Sequence, residues 1–250
     1  MLVFILALQG PAASKNWSRV SQLCERTLRS ICAQTDPDFR AILVCNTRPE
    51  TDFVHSHLTI IEREFPIPAA TSSARMNDKW SKLKVGLAAA RHLAPAHIMF
   101  VDADDCVHRG LAEHVTRHPD SIGWSMDVGY LRDEGSRWIY RREDFFRFCG
   151  SSAIVRLSPE DFPASELEPS ENYFILANGH GAIRQHMIEQ GRPLQALPFV
   201  GAVYMTNTGE NDSGIRMRGW QGKRQMLEKI LAARLLTGRR RSELGLYDLP

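Results

Sequence analysis

The chain has 250 residues, 43% hydrophobic and 24% charged, the composition of a globular protein with enough length for one large domain or two small ones. A net charge of +2 excludes a surface made basic throughout for nucleic acid, although Arg239, Arg240 and Arg241 crowd one end. Five cysteines without C-x-x-C spacing exclude a zinc or disulfide framework and suit a reducing compartment, so a cytoplasmic location is expected.

In chain order, Leu2 to Leu8 is a continuous apolar run ahead of Gly10-Pro11, and it predicts a buried strand followed by a loop. It lacks the basic start and small-residue cleavage site of a secretion signal. Asn16 or Ser18 caps a helix to about Ala33, with Val20, Leu23, Cys24, Thr27, Leu28 and Ile31 on one face. Phe39 to Cys45 follows as a second strand and His57 to Glu62 as a shorter third. Asn77 or Asp78 caps a helix through Leu93, whose apolar face is Trp80, Leu83, Leu87 and Ala90. Strands separated by helices predict an α/β fold, Rossmann-like, with a mostly parallel sheet flanked by helices.

The next strand, Ile98 to Val101, ends in Asp102, Asp104 and Asp105. Buried carboxylates are costly unless paired or bound to metal, and open α/β sheets bind ligands at the carboxyl ends of their strands. Asp102 and Asp104 can share one hard cation, Mn²⁺ or Mg²⁺, which in turn can clamp a diphosphate. The alternative is a surface turn with solvated acids.

The second half is mixed. Ile122 to Tyr140 predicts strand and hairpin, turning at Asp133-Glu134-Gly135. A strand from Ala153 to Leu157 follows Cys149-Gly150-Ser151-Ser152, then a Pro- and Glu-rich loop from Ser158 to Ser170 and a helix from about Glu171 to Gln190. Leu197 to Met205 predicts a last strand, and Gln221 to Leu236 a helix ending at Gly238. No linker divides the chain, so one domain is expected, made of a first half (1–110), a second half (111–215) and a C-terminal basic amphipathic helix and tail (216–250). Such a helix can lie on anionic lipid or pack on the sheet.

Four of these pieces, in order, resemble the nucleotide-sugar-dependent glycosyltransferases of the GT-A fold, most closely the family 2 type. They are Ser30-Ile-Cys-Ala-Gln34-Thr35-Asp-Pro-Asp-Phe39, the Lys79–Arg91 helix, Phe100-Val-Asp102-Ala-Asp104-Asp105, and Gly150-Ser-Ser-Ala-Ile-Val-Arg156. The resemblance implies a metal-dependent transferase that moves a sugar, with inversion, from a nucleoside-diphosphate sugar to a glycan or lipid-linked acceptor. It implies donor contacts from Gln9, Pro11, Asn46, Arg75, Lys79, Lys82, Asp102, Ala103 and Asp104, and a metal on Asp102 and Asp104. Asn46 stands where family members often carry a base-reading Asp, and Asn207 where they often carry a His, so Asn207 is a third candidate metal ligand. For the general base the resemblance points to the second half, where Asp161, Glu166, Glu168 and Glu171 are candidates.

His180, between glycines, is a further candidate for the site, and Trp124, Trp138 and Tyr140 can either stack on acceptor sugars or fill core. Two other readings stand beside the transferase. A nucleotidyltransferase would want a Gly-rich loop where this chain has Gln9-Gly10-Pro11, and a non-catalytic sugar-binding protein would have no need of Asp102 and Asp104.

Overall fold

A computed structural model describes residues 1–177, 180–210 and 232–247, with the side chains of Ala177 and His180 left aside. Strand β1 (Leu2–Ala7) leads through a 3-10 turn at Pro11–Ala13 into helix α1 (Trp17–Cys32). The Asn16 side chain accepts the Arg19 backbone N–H at 3.0 Å and so caps α1. Strands β2 (Phe39–Cys45) and β3 (Leu58–Glu62) follow, then helix α2 (Ser72–Arg91) and strand β4 (His97–Asp102).

Helix α2 begins upstream of the expected Asn77 or Asp78, because the Thr71 hydroxyl caps it by accepting from Ala74 N at 3.2 Å. Its first two turns face a cleft and carry Ser72, Arg75 and Asp78 there, so no apolar period marks them in the sequence. Farther along, Gly86 lets α2 close on β1: a Cβ there would lie 2.4 Å from Ile5 Cγ2.

The second half supplies β5 (Cys106–Val107), α3 (Leu111–Arg117), β6 (Gly123–Ser125), β7 (Val128–Asp133), β8 (Trp138–Glu143) and β9 (Ala153–Val155). Helices α4 (Phe174–Ala177) and α5 (His180–Glu189), strands β10 (Gln195–Ala196), β11 (Ala202–Thr206) and β12 (Ala233–Leu235), and helix α6 (Gly238–Glu243) complete it.

The first sheet has seven strands in the order β10-β6-β9-β4-β1-β2-β3, with β1, β2, β3 and β4 parallel and β9 antiparallel to both neighbours. This is the expected mostly parallel, helix-flanked α/β sheet, consistent with a GT-A or Rossmann-like fold. One apolar cluster packs α1 and α3 on one face, and a second packs α2, α4 and α5 on the other. A second sheet of five strands, order β12-β8-β7-β11-β5, lies over a third cluster that includes Ile139, Val203, Met205 and Leu246.

Three sequence expectations are corrected. The helix expected from Glu171 opens instead as a 3-10 turn, Ser170–Asn172, after Pro169; Tyr173 is extended at φ −118° and ψ 113°, which stops the turn before α4. The strand expected from Leu197 starts only at Ala202. The helix expected over Gln221–Leu236 falls largely outside the described residues, but Ala233–Leu235 is a strand, antiparallel to β8 with Arg234 opposite Ile139. Edge pairing there leaves Leu235 half-exposed and Leu236 buried, and Gly238 begins α6 rather than ending a helix, capped by Thr237. Of the basic stretch 219–241 from which membrane contact is expected, residues up to 231 lie outside the described residues, whereas Arg234 stands in β12 and Arg239, Arg240 and Arg241 in α6 instead of on one amphipathic helix. Among the described residues no helix is long and apolar enough to cross a membrane.

Candidate active site

Strands β2 and β4 flank β1 on opposite sides, so the strand order reverses at β1, with Ala7 opposite Asp102 at the carboxyl ends. Connections leave in opposite directions at such a point and open a crevice. Here it is a cleft of about 330 Å³. Leu8, Gln9 and Ala13 line it from the β1–α1 connection, and Ser72, Arg75, Met76, Asp78, Lys79 and Lys82 from α2. Asp102, Ala103 and Asp104 come from the end of β4 and the turn after it, Phe148 and Gly150 from the loop before β9, and Tyr204 and Glu210 from β11 and the segment after it. Ser72 is the first residue of α2, so the positive end of that helix dipole also faces the cleft.

The cleft has a cationic wall and an anionic floor. Lys79 Nζ pairs with Asp102 Oδ1, and Lys82, buried, pairs with Asp78 at 2.6 Å one turn back on the same helix. Burial lowers the Lys82 ammonium and Asp78 partly restores it. For Lys79, burial is outweighed by Asp102, Asp104 and Asp105, and the ammonium is held above its usual range. Asp104 is pushed up to about 7 by burial and by the neighbouring Asp102 charge, against the pull of Lys79. Two carboxylates that repel each other in this way favour a cation beside them, and the Lys79 ammonium stands there.

Asp105, the third acid, is buried and does another job. One oxygen accepts the Ser151 hydroxyl at 2.8 Å and the Cys149 thiol at 3.1 Å, and the other accepts Met205 N at 3.1 Å. The Ser151 hydroxyl in turn accepts Asp102 N at 2.9 Å. Asp105 thus ties the Asp102 turn to the loop before β9 and to the second sheet. Between Cys149 and Ser151, a Cβ on Gly150 would lie 2.6 Å from Asp102 Oδ2, so glycine alone lets that loop close on the carboxylate.

The cleft therefore gathers Gln9, Arg75, Lys79, Lys82, Asp102, Ala103 and Asp104 from the residues expected in the sequence. Gln9 donates to Glu210 at 3.2 Å, and Glu210 also accepts the backbone N–H groups of Lys15 and Asn16 at 3.1 and 3.0 Å. Pro11 opens the 3-10 turn beside the cleft. Asn46, at the end of β2, donates its amide to Phe65 O at 3.0 Å behind Gly10. Asn207 has φ +57° and donates to Asp133 at 2.6 Å, on the second sheet.

The acids named for the general base lie apart from the cleft lining. Asp161 accepts Ser158 N at 2.8 Å, Glu166 pairs with Arg63 at 3.8 Å, Glu168 takes the Tyr173 hydroxyl and two backbone N–H groups, and Glu171 stands exposed in the 3-10 turn. His180 opens α5, and its side chain lies outside the described residues. Trp124 is core, with its ring against His97 and His114, whereas Trp138 is half-exposed on β8 and Tyr140 is partly buried two residues on.

Sequence reasoning missed Asp78, Gly150, Tyr204 and Glu210. Asp78 left a signal in its spacing of four from Lys82, and Gly150 stands in the small-residue segment Gly150–Arg156 already noted.

Among the described residues no three His, Cys, Asp or Glu side chains converge as a complete metal cage. The oxygens of Asp102 and Asp104 nevertheless fit Mg²⁺ or Mn²⁺, which are bound through one or two carboxylates with phosphates and water completing the shell.

Neither a protein-family model nor a curated protein matches this chain. Solved structures with a similar course include S. aureus TarS, at 10% identity and TM-score 0.41, with 82% of this chain and 36% of that one covered. Galactosyltransferase LgtC, solved with donor and acceptor sugar analogs, is similar at 11% identity and TM-score 0.38 over 97% of this chain and 100% of that one. A Bacillus anthracis protein described as a glucose-1-phosphate thymidylyltransferase is similar at 12% identity and TM-score 0.39, with 80% and 88% covered. The chain spans only about a third of the TarS structure, and likenesses of this strength add nothing to what the strand order shows.

Proposed function

We propose that this protein is a glycosyltransferase that moves a sugar from a nucleoside-diphosphate donor to an acceptor hydroxyl with the help of a divalent cation. The observation that carries the reading is that Asp102 and Asp104 line one cleft together with Arg75, Lys79 and Lys82, at the strand ends where the sheet order reverses. Asp102 and Asp104 would hold Mn²⁺ or Mg²⁺, which when bound neutralises charge on a leaving diphosphate. The α2 cations and the N-terminal end of that helix supply fixed positive potential to the same group. Glu210 ties the chain after β11 to the start of α1, which fixes the wall of the cleft next to Gln9.

Thermal unfolding with UDP, GDP, CDP or dTDP, each with and without Mn²⁺, tests the reading. At ~100 times its dissociation constant a ligand adds about 2.7 kcal/mol. One nucleotide is expected to stabilise the protein in a metal-dependent way, and Asp102→Asn with Asp104→Asn to abolish both that shift and transfer. Stabilisation by a nucleotide that the double variant leaves intact would favour a non-catalytic binding protein. Stabilisation by a nucleoside triphosphate together with a sugar phosphate would favour a nucleotidyltransferase.

A further inference from the structure

The Asp102 carboxylate already has a cation. Lys79 Nζ bonds to its Oδ1, and the pair joins α2 to the end of β4 across 23 residues of chain. On its other side Asp102 lies close to Gly150, where even a Cβ would crowd the carboxylate, and its backbone N–H is held by Ser151. The Lys79 ammonium also lies 5.9 Å from the Trp80 ring centre and in the field of Asp104. Lys82, one turn along the same helix, cannot take its place, because it is buried and committed to Asp78.

We propose that Lys79 is a built-in competitor for the metal position: it holds Asp102 in the metal-free protein and must leave that oxygen before a divalent cation can bind there. An ammonium and a dication cannot both lie within bonding distance of one carboxylate oxygen without strong repulsion. The donor's diphosphate offers Lys79 an alternative anion in the same cleft. Drawing Lys79 onto the phosphates frees Asp102, so the cation and the nucleotide bind cooperatively, each raising the affinity of the other by the same factor. Lys79 is then a positioning residue that makes metal loading depend on donor binding. This inference rests on the transferase reading of the same site.

The test measures free Mn²⁺ by electron paramagnetic resonance in titrations of wild type, Lys79→Met, Lys79→Arg and Asp102→Asn without nucleotide. Removing a charge-assisted bond from Asp102 is expected to raise Mn²⁺ affinity at least ~10-fold in Lys79→Met. Lys79→Arg, which keeps the charge, should match wild type, and Asp102→Asn should bind more weakly than either. Stabilisation by UDP, GDP, CDP and dTDP in the absence of metal should fall in Lys79→Met. Equal Mn²⁺ affinity in wild type and Lys79→Met overturns the inference and leaves the transferase reading standing. Nucleotide binding that needs Lys79 while no variant takes Mn²⁺ also overturns it, because Lys79 then replaces the metal. Indifference of every variant to Mn²⁺ and to all four nucleotides overturns both.

Discussion

The two sheets are held by different forces. In the seven-stranded sheet, Leu2 to Leu6 of β1 and Ala41 to Cys45 of β2 are buried from both faces, and the strands pair as unbroken apolar runs. Burial of this kind is graded: each methylene contributes roughly 0.8 kcal/mol, and no single contact decides the fold. The five-stranded sheet has an apolar cluster of its own and is fastened in addition by particular polar groups. Arg26, buried on α1, gives Glu134 two bonds of 3.0 and 2.9 Å at the β7–β8 turn. Asp105 takes Met205 N from β11, and Asp133 takes the Thr206 hydroxyl and the Asn207 amide. Such contacts are closer to all-or-none, because a buried donor or charge left without its partner loses its hydration with nothing in return. The cleft stands where the two kinds of construction meet.

The largest test of that contrast removes one clasp. Glu134→Ala leaves the Arg26 guanidinium buried and uncompensated, with Nε and one terminal nitrogen already unpartnered among the described residues. The expected loss is about 3–5 kcal/mol, against about 1 for a single methylene removed from β2 by Ile42→Val. Urea unfolding should show the loss as a lower midpoint at unchanged slope. Equal losses in the two variants would erase the distinction between the sheets.

His97 is an exception on the first sheet's side, a buried imidazole in β4 with Nε2 2.8 Å from Ser121 O and Nδ1 without a hydrogen-bond partner among the described residues. Burial lowers its pKa from 6.5 to about 4. The unfolded chain therefore takes up a proton as pH falls through about 6.5, while the folded chain resists until about 4. Stability from this group is full above pH 6.5 and is lost across that window, by up to about 3 kcal/mol. Asp104 and Asp105 slope the other way, since burial and the Asp102 charge raise Asp104, and burial with the Asp104 and Asp102 charges raises Asp105, which favours the folded state in acid. The difference between wild type and His97→Gln, followed by urea unfolding from pH 4 to 7.5, isolates the imidazole. Parallel curves for the two proteins would mean that the ring is solvated.

The same contrast explains what the sequence could disclose. Strand β2 lies at the predicted Phe39–Cys45, Asn16, one of the two caps expected, caps α1, and the end of β4 and the turn after it put Asp102 and Asp104 in the cleft. All of these follow from apolar runs or local spacing. The start of α2 did not, because its first turns serve the cleft instead of the core. The bonds from Asp105 to Met205, 100 residues on, and from Arg26 to Glu134, 108 residues on, leave no periodicity to detect. Asp105 could be seen as one acid of three, but its role as a tie depends on a thiol, a hydroxyl and an amide that only folding assembles. Ala233–Leu235 shows the opposite error, a stretch with apolar residues at helical spacing that pairs with β8 as an edge strand, where tertiary contact overrides local preference.

The smallest expected change in stability comes at Gly150, and it is the most direct probe of the junction. Its backbone has an ordinary φ, so alanine brings no backbone strain, and the cost lies in what the new methyl meets. That methyl would stand 2.6 Å from Oδ2 and 3.0 Å from Oδ1 of Asp102, at the end of a side chain that is partly exposed and can turn. The Asp105 ties on either side of the glycine stay in place, so stability should fall by no more than about 1 kcal/mol. The carboxylate, however, must rotate out of the position in which it faces Lys79 and lies near Asp104. Gly150→Ala is therefore expected to keep its unfolding midpoint nearly unchanged while losing at least ~10-fold in Mn²⁺-dependent nucleotide affinity. A variant that loses several kcal/mol instead would show that the loop before β9 is part of the rigid core. One that binds metal and nucleotide like wild type would show that the orientation of Asp102 is not what the site depends on.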